Sequence, residues 1–379
     1  TDEDVSYVFA GADFGFTDVD TGTSLKTVVI TTVPTTGSLR LNNTAVVAGA
    51  TVTAIELAAG KLTFAPAENA FGNAYASFTF QVQDDGGTAN GGVDLDPTAN
   101  TITVNVTAVN DAPVPGLKAD GTADTGYNPT ASRYEGTTGE DTAFNGTVRA
   151  KDVDGDTLFY TPGTTQPANG QLSLKADGSY TYTPKADFNG TDTFTIVVSD
   201  GKGGQAIITV VVTVTAVNDA PVLDLDATAT GTGYTVSYTN GTDAVPFAAA
   251  SVTVTDVDNA TLAKATVTLT NPKTGDVLAA AGLPTGITAT VSGSTLTLTG
   301  VASPTAYQAA LRAVTFSNPA GNADTTTRVI NAAVNDGTAD SLVAVASITA
   351  RILNRPATLT PDSGTNGPSD ATYVEGSLP

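Results

Sequence analysis

The chain has 379 residues, of which 38 are acidic and 16 are basic, and its formal net charge is −22. This acidity argues against nucleic acid and anionic membranes as partners, and it suits either solubility or the binding of divalent cations. The sequence contains no cysteine and no histidine, which removes disulfides, zinc–thiolate sites, cysteine nucleophiles and the commonest general base. A hydrophobic fraction of 40% is enough for buried cores, and the length suits two to four domains.

The two ends of the sequence carry no targeting signal of a familiar kind. The first residues, TDEDVSYVFA, lack the basic and apolar stretches of a signal peptide. No apolar run reaches the roughly 18 residues that a transmembrane helix needs, so none is expected. The last residues, ATYVEGSLP, resemble the opening of another unit, which suggests a piece of a longer chain.

Alternating apolar and polar residues run through the whole chain and predict strands with one buried face. The clearest are 101–109 (TITVNVTAV) and 208–216 (ITVVVTVTA), where apolar residues occupy every second position. Only 53–60 (TAIELAAG) and 304–314 (PTAYQAALRAV) favour short helices. Further strands are predicted, in chain order, at 76–82, 178–184, 192–198, 251–257, 265–271, 294–300 and 313–318.

One octapeptide, TAVNDAPV, stands at 107–114 and again at 215–222. The stretches before it also correspond. Both 60–87 and 178–204 run from a strand through a proline, a loop with Phe-Gly or Phe-x-Gly and an aromatic strand to an acidic turn. A looser third copy covers 315–337. The octapeptide is therefore interpreted as a joint that ends one β-sandwich and begins the next.

These repeats predict an all-β protein with three tandem Ig-like or cadherin-like β-sandwich domains in a linear array, since about 100 residues is the size of an Ig-type sandwich. Prolines at 113, 221 and 356 are expected to stiffen the junctions by fixing φ. The predicted domains are 1–112, 113–220 and a longer variant at 221–355, and 356–379 is predicted to be a linker and the start of a further repeat.

Acidic residues and asparagines recur at corresponding positions of the predicted domains. They lie near the start of a domain, in D-V-D motifs, in the acidic turn before the last strand, and in the Asn-Asp pair of the octapeptide. Several carboxylates in one place repel one another unless a cation neutralises them, so the recurrence points to a metal. The predicted ligands are Glu3, Asp18, Asp20, Asp84, Asp85, Asn110, Asp111, Glu135, Asp152, Asp154, Asp156, Asp200, Asn218, Asp219, Asp256, Asp258 and Asp336.

All of these side chains offer hard oxygen ligands, which favours Ca²⁺, whereas Mg²⁺ keeps several waters and is rarely caged by protein alone. The alternative is that each Asp or Asn only caps a turn. An EF-hand is excluded at 152–157 (DVDGDT). Its glycine comes two positions early, no Glu occupies the twelfth position of the loop, and no helices flank it.

The middle domain contains EDTAFNGTVRAKDVDGDTLFYTP, NGQLSLKADGSYTYTPKADFNGTDTFTIVVSDGKGG and TAVNDAPV. It closely resembles the cadherin-like tandem repeats of large bacterial RTX-type adhesins, and the other two domains are similar to further repeat types of such proteins. The resemblance implies calcium-binding β-sandwiches that act as extenders. The linker residues Asn110, Asp111, Asn218 and Asp219 match the inter-domain calcium segment, with Glu135, Asp152, Asp154, Asp256 and Asp258 as partner acids. The third junction departs from the pattern, because Arg355 follows Asn354 where Asp is expected.

The resemblance implies an extracellular segment on a bacterial cell surface, serving adhesion or biofilm formation, with neighbouring repeats of the same chain as its partners. A second hypothesis is an adhesive module that binds a surface glycan, a peptide or a sister adhesin through 221–355, where the insertion 275–294 would form a loop platform. An aromatic content of only 6% weighs against it. An enzyme is disfavoured because the acidic sets recur in every domain, whereas an active site should appear once, and because no nucleophile elbow or P-loop motif is present.

Overall fold

The computed structural model describes residues 1–319 and 324–352, and within these ranges the chain is almost entirely β-structure. The predicted third junction at Asn354 and Arg355 and the predicted linker at 356–379 lie outside the described residues. The chain divides into two compact units, Thr1–Ala216 and Val217–Pro379. The first unit holds two hydrophobic cores and the second holds one.

The first sandwich packs a sheet of order β1-β6-β3-β4 against a sheet of order β5-β2-β7-β8. Its core includes Val28, Phe64 and Phe78, each at most 1% exposed. The predicted helix at 53–60 is present, because Thr53 and Glu56 form a capping box at its start. Its elements are β1 (Tyr7–Val8), a 3₁₀ turn (Gly11–Phe14), β2 (Leu25–Ile30), β3 (Ser38–Leu41), β4 (Thr44–Ala45), β5 (Thr51–Thr53), α1 (Ala54–Ala58), β6 (Leu62–Ala65), β7 (Gly72–Asp84), a 3₁₀ turn (Ala89–Gly91) and β8 (Asn100–Val106).

The second sandwich pairs the five-stranded sheet β10-β11-β18-β17-β14 with the three-stranded sheet β12-β16-β15, and a short ribbon joins β13 to β9. In β18 the predicted alternation is observed, since Ile208, Val210, Val212 and Val214 are all 2% exposed or less. Its strands are β9 (Val114–Pro115), β10 (Tyr127–Asn128), β11 (Arg133–Gly139), β12 (Phe144–Thr147), β13 (Ala150–Lys151), β14 (Phe159–Pro162), β15 (Gly170–Leu174), β16 (Ser179–Pro184), β17 (Gly190–Ser199) and β18 (Gln205–Thr215).

The third sandwich, in the second unit, packs the six-stranded sheet β20-β29-β28-β23-β26-β25 against β21-β27-β24, with a ribbon of β19 and β22. The insertion 275–294, expected as a loop platform, instead contains two sheet strands, β24 and β25. Its elements are β19 (Val222–Asp224), β20 (Tyr234–Thr239), β21 (Val245–Pro246), β22 (Thr253–Thr255), β23 (Leu262–Leu269), β24 (Val277–Ala280), β25 (Thr288–Ser292), β26 (Thr295–Ala302), α2 (Pro304–Arg312), β27 (Val314–Ser317), β28 (Arg328–Asn335) and β29 (Ala344–Arg351).

The predicted helix at 304–314 is present as α2, with Ser303 as its N-cap and Pro304 in the first turn. The all-β class predicted from the alternation is confirmed by these sheets. In the first unit, β8 ends shortly before Asn110 and Asp111, which form hydrogen bonds with Asp200 and Asp154 in the acidic turns. These strand ends and turns position the candidate site.

Candidate metal centre

The candidate site begins where the chain start meets the end of β8. Asp2 pairs with Thr107 in a parallel bridge, and the Glu3 N–H donates to the Thr107 carbonyl at 2.9 Å. Glu3 is only 2% exposed, and one of its carboxylate oxygens accepts the Val109 N–H at 2.7 Å. The pairing therefore fixes a buried carboxylate beside the Asn-Asp pair of the first octapeptide.

The D-V-D-G-D motif supplies the second group of carboxylates. Asp152 is 6% exposed, and its Oδ1 accepts the backbone N–H of Asp154 at 3.0 Å and of Asp156 at 3.3 Å. This turn wraps the chain around the first carboxylate of the motif. Asp154 in turn accepts the Asp111 N–H at 2.8 Å, so the linker and the motif are joined directly.

Two overlapping sets of three carboxylates result. Glu3, Asp111 and Asp154 each place one oxygen within 4.8 Å of the others, and so do Asp152, Asp154 and Asp156. Burial, followed by the charges of Asp154 and other nearby acids, raises the pKa of Asp111 above its ordinary value. The arrangement therefore concentrates negative charge that the described protein compensates only in part.

Several of these carboxylates have one oxygen with a hydrogen-bond partner and one oxygen without. A buried polar atom without a hydrogen bond destabilises the folded protein by about 1–3 kcal/mol, and more when it is charged. Such a set of hard oxygens meets the ligand preference of Ca²⁺, which takes six to eight of them, and the residues present therefore fit that ion. The buried oxygens without a hydrogen-bond partner are Glu3 Oε2, Asp111 Oδ2, Asp152 Oδ2 and Asp156 Oδ2.

A side-chain hydrogen bond between Asn110 and Asp200 also holds the first Asn-Asp pair in place. Asp200 Oδ1 accepts the N–H groups of residues 202, 203 and 204 at 2.7–3.0 Å, and its Oδ2 accepts the Asn110 amide at 2.7 Å. The Asn110 hydrogen bond is the main reason that the pKa of Asp200 lies below its ordinary value. A Cβ on Gly204 would lie 2.1 Å from Asp200 Oδ2 and 2.8 Å from Ala112 Cα, so glycine is needed for this close approach.

One cation already lies at the edge of the site. The Lys202 ammonium forms an ion pair with Asp156 Oδ1 at 2.6 Å, and this contact raises the pKa of Lys202. The lysine side chain is 61% exposed. It forms an ion pair with Asp156 only, whereas Glu3 and Asp111 form no ion pair with any residue in 1–319 or 324–352. Sequence reasoning missed this residue, whose signal was the lysine inside the acidic turn SDGKG.

The second unit repeats the hydrogen bonds around its own Asn-Asp pair, but Asp256, Asp258 and Asp336 belong to no compact set of three carboxylates among the described residues. The Asn218 amide donates to Asp336 Oδ2 at 2.8 Å, and the Asp219 N–H donates to Asp258 Oδ2 at 2.6 Å. Asp256 Oδ1 accepts the Asp258 N–H at 3.0 Å, and Asp256 Oδ2 is buried without a hydrogen-bond partner. Burial acts to raise the pKa of Asp336, but hydrogen bonds from Ala339, Asn218 and Thr338 outweigh it and leave that pKa lowered.

The two arrangements differ at three corresponding positions, which are 155/259, 156/260 and 202/338. Where the first unit has Asp156, the second has Ala260, and where the first has Lys202, the second has Thr338. The second unit instead uses Asn259, whose amide donates to Asn218 Oδ1 at 2.8 Å. An ion pair is therefore replaced by a neutral hydrogen bond.

Four predicted ligands form a separate group in the first sandwich. Asp18 Oδ1 accepts the Asp20 N–H at 2.8 Å, the turn geometry also seen at Asp152 and Asp256. Asp85 accepts the Ser24 N–H at 2.8 Å, and Asp84 accepts the Gly86 N–H at 2.6 Å. None of the four belongs to a compact set of three carboxylates within the described part of the chain. Their assignment as ligands stays a prediction.

Glu135 lies apart from the compact carboxylate sets, and its assignment as a ligand stays a prediction. Glu135 is exposed on β11, where it forms an ion pair with Arg133 at 2.6 Å and accepts the Asn128 amide at 3.1 Å. The residue that corresponds to Glu3 is Glu140, because the Glu140 N–H donates to the Thr215 carbonyl as Glu3 does to Thr107. Glu140 is 1% exposed. The available signal was the Glu-Asp step shared by residues 3–4 and 140–141.

Comparison with known proteins gives one family match and several similar structures. Residues 110–215 match the family model described as a bacterial Ig domain. No protein with a curated description matches the chain significantly. Among solved structures, a mouse cadherin-23 fragment, EC22-24, is 14% identical with a TM-score of 0.38, covering 89% of each chain. Human CDH23 EC21-23 is 15% identical with a TM-score of 0.36, covering 86% of this chain and 89% of that one.

An endo-fucoidan hydrolase of glycoside hydrolase family 107 is also similar, at 15% identity and a TM-score of 0.24. The match covers 88% of this chain but only 39% of the hydrolase, so the shared part is less than half of that protein. The family match covers 110–215 only, and the observed sheets show that the described chain is built of β-sandwiches. Among the described residues, no helix has the length and apolar character needed to cross a bilayer.

Proposed function

We infer that this chain is a calcium-stabilised extender segment of a large bacterial cell-surface adhesin, located outside the cell. The observation that carries the proposal is the pair of carboxylate sets at the first Asn-Asp pair. There, buried oxygens of Glu3, Asp111 and Asp152 lack hydrogen-bond partners. A divalent cation would bind the folded state and not the unfolded chain, so it would stabilise the fold by mass action.

Calcium would also link the two sandwiches of the first unit mechanically. Glu3 belongs to the first sandwich, Asp152 and Asp154 belong to the second, and Asp111 lies between them. An ion held by all of these would restrict bending at the joint. A row of such joints would hold a distal ligand-binding domain away from the cell, in support of adhesion or biofilm formation. Repeats of this class are typically not enzymes, so no catalytic role is assigned.

The matching set in the second unit supports the same function. Asn218, Asp219, Asp256, Asp258 and Asp336 occupy corresponding positions there. The alternative of a glycan-binding or self-binding loop platform at 275–294 has less support, since this insertion contains the strands β24 and β25.

The test is a thermal melt of the full chain in chelator, in millimolar Ca²⁺ and in millimolar Mg²⁺. We expect a rise in melting temperature that is specific to Ca²⁺ and is reduced in the double variant Asp152→Asn/Asp154→Asn. The matched control is Asp18→Asn/Asp20→Asn, which alters the same turn outside the compact carboxylate sets and should retain the rise. An equal rise in all three proteins, or none in the unmodified chain, would contradict the proposed site.

A further inference from the structure

The strand β25 lies in the longest uncharged stretch of the chain. Residues 277–311 contain none of the 38 acidic and 16 basic residues, whereas the next longest uncharged stretch, 157–174, has 18 residues. The stretch forms β24, β25, β26 and α2, and among the described residues β25 is an edge of the six-stranded sheet. In a chain of net charge −22, this edge is therefore a place where a second copy meets little local repulsion.

One apolar side chain of β25 lies on the core side of the sheet without being covered. Ala289 is partly buried and packs against the core of the third sandwich. Val291 is two positions further along the strand and so lies on the same side, yet it is 55% exposed. At the opposite edge of the same sheet, Val236 of β20 packs against the core. The described chain therefore leaves an apolar position open at β25.

The backbone groups of Ala289 and Val291 point away from the sheet. β25 and β26 form a hairpin in which Ser292 pairs with Thr295 across the two-residue turn 293–294. The first turn residue is a glycine with a φ of 59°, as a type II′ turn requires. The pair that closes such a turn is hydrogen-bonded, and hydrogen-bonded pairs then alternate with pairs that are not. Residues 289 and 291 therefore present their N–H and C=O groups at the open edge.

We propose that β25 pairs antiparallel with β25 of a second copy of this chain, about a two-fold axis at Thr290. The outward backbone groups of Ala289 would bond to those of Val291 in the other copy, and the reverse pair would form by symmetry. Each Val291 would then lie opposite Ala289 of the other copy, which covers its exposed apolar surface. β25 contains neither lysine nor proline, the residues that usually protect an exposed edge from such pairing.

A second copy suits this edge better than a different protein, because the strand is complementary to itself about Thr290 and carries no charge that would select another partner. The contact uses the edge of a strand, so it needs no loop platform, and it does not rest on calcium. A strand of five residues gives a small interface, of the weak class that buries less than about 1,200 Å². Added salt should strengthen the pairing, since it screens the repulsion between two chains of net charge −22.

Disulfide cross-linking of the full chain tests the register, because the sequence contains no cysteine. Thr290 and Thr288 are both exposed. Thr290→Cys would place two sulfurs across the two-fold axis, where Cα atoms lie about 4.5 Å apart, within the range of a disulfide. Thr288→Cys would lie opposite residue 292 of the other copy, roughly 13 Å along the strand from its own equivalent. We expect oxidation at millimolar protein in chelator to cross-link Thr290→Cys and not Thr288→Cys.

Sedimentation in chelator should show the mass of the unmodified chain rising toward twice the monomer mass between micromolar and millimolar concentration. Val291→Asp should remain monomeric, while Val301→Asp, which adds the same charge at a position of β26 that is 78% exposed, should still associate. Amide exchange of Ala289 and Val291 in the unmodified chain should slow as concentration rises, and this readout does not depend on the folding of any variant. An unmodified chain that stays monomeric, equal cross-linking of the two cysteine variants or its absence from both, or equal loss of association in both aspartate variants would overturn the proposal.

Discussion

Replacing Asp111 by asparagine should change the stability of the first unit in opposite directions with and without calcium. Asp111 lies within 4.8 Å of carboxylate oxygens of Glu3 and Asp154. At this separation, a water-like dielectric gives a repulsion of about 0.9 kcal/mol for each pair of charges. The neutral amide would remove both repulsions and the burial of a charge. In chelator, Asp111→Asn is therefore expected to stabilise the unit by about 2 kcal/mol.

In calcium the same substitution should destabilise relative to the unmodified chain, since it replaces a charged ligand by a neutral one. An ion present at a hundredfold excess over its dissociation constant stabilises the fold by about 2.7 kcal/mol. For a unit of this size, each 1 kcal/mol corresponds to roughly 2–4 °C in melting temperature. We therefore expect Asp111→Asn to melt about 4–8 °C higher than the unmodified chain in chelator. In calcium the loss of about 2.7 kcal/mol exceeds the gain of about 2 kcal/mol, so the variant should melt about 1–3 °C lower than the unmodified chain.

The assay is differential scanning calorimetry of both proteins in chelator and in calcium, with Asp20→Asn as control. Asp20 is exposed and outside the compact carboxylate sets, so its substitution should leave both melting temperatures nearly unchanged. A lower melting temperature of Asp111→Asn in chelator would refute the electrostatic reasoning. A calcium response equal to that of the unmodified chain would refute the role of Asp111 as a ligand.

Three further outcomes are expected. Because the pKa of Asp111 is raised in the folded state, the folded state binds the proton more readily than the unfolded chain. The destabilisation caused by this carboxylate should therefore diminish as pH falls through the raised pKa. Urea unfolding in chelator should show this pH dependence of the free energy of unfolding in the unmodified chain and not in Asp111→Asn. Lys202→Ala frees Asp156 from its ion pair, and it should tighten calcium binding up to about fivefold, which corresponds to the interaction energy of an exposed ion pair. A calorimetric titration measures this, and unchanged affinity would exclude competition by the lysine. Arg328 and Asp276 form an ion pair at 2.8 Å with both side chains 0% exposed. Arg328→Met leaves the Asp276 charge buried and unpaired, so it should destabilise the second unit by about 3–5 kcal/mol. A decrease in the free energy of unfolding below about 1 kcal/mol, measured with denaturant, would contradict this account.

The strands and helices were largely predictable because their signals are local. Alternation over 208–216 predicts β18, and the helical pattern of 304–314 predicts α2. The parallel pairing of β11 with β18 was not predicted, since it joins residues 76 positions apart in the sequence. That pairing decides which glutamate reaches the end of the strand. It therefore places Glu140, and not Glu135, in the position that Glu3 has in the first sandwich.

The candidate site was predictable in its residue types but not in its grouping. Asp18-Val19-Asp20 and Asp152-Val153-Asp154 form the same local turn, so the sequence treats them alike. Only the second of these two motifs contacts the first Asn-Asp pair, because the Asp111 N–H donates to Asp154. Whether a turn meets a partner depends on the neighbouring sandwich, which local sequence does not encode.

The most direct test of the calcium site is equilibrium dialysis of the full chain against millimolar Ca²⁺, followed by elemental analysis of the bound metal. The account predicts calcium retained at a defined ratio to protein, not displaced by equal Mg²⁺, and reduced by Asp111→Asn but not by Asp20→Asn. Protein that retains no more calcium than the surrounding buffer, or that retains the same amount in both variants, would contradict it.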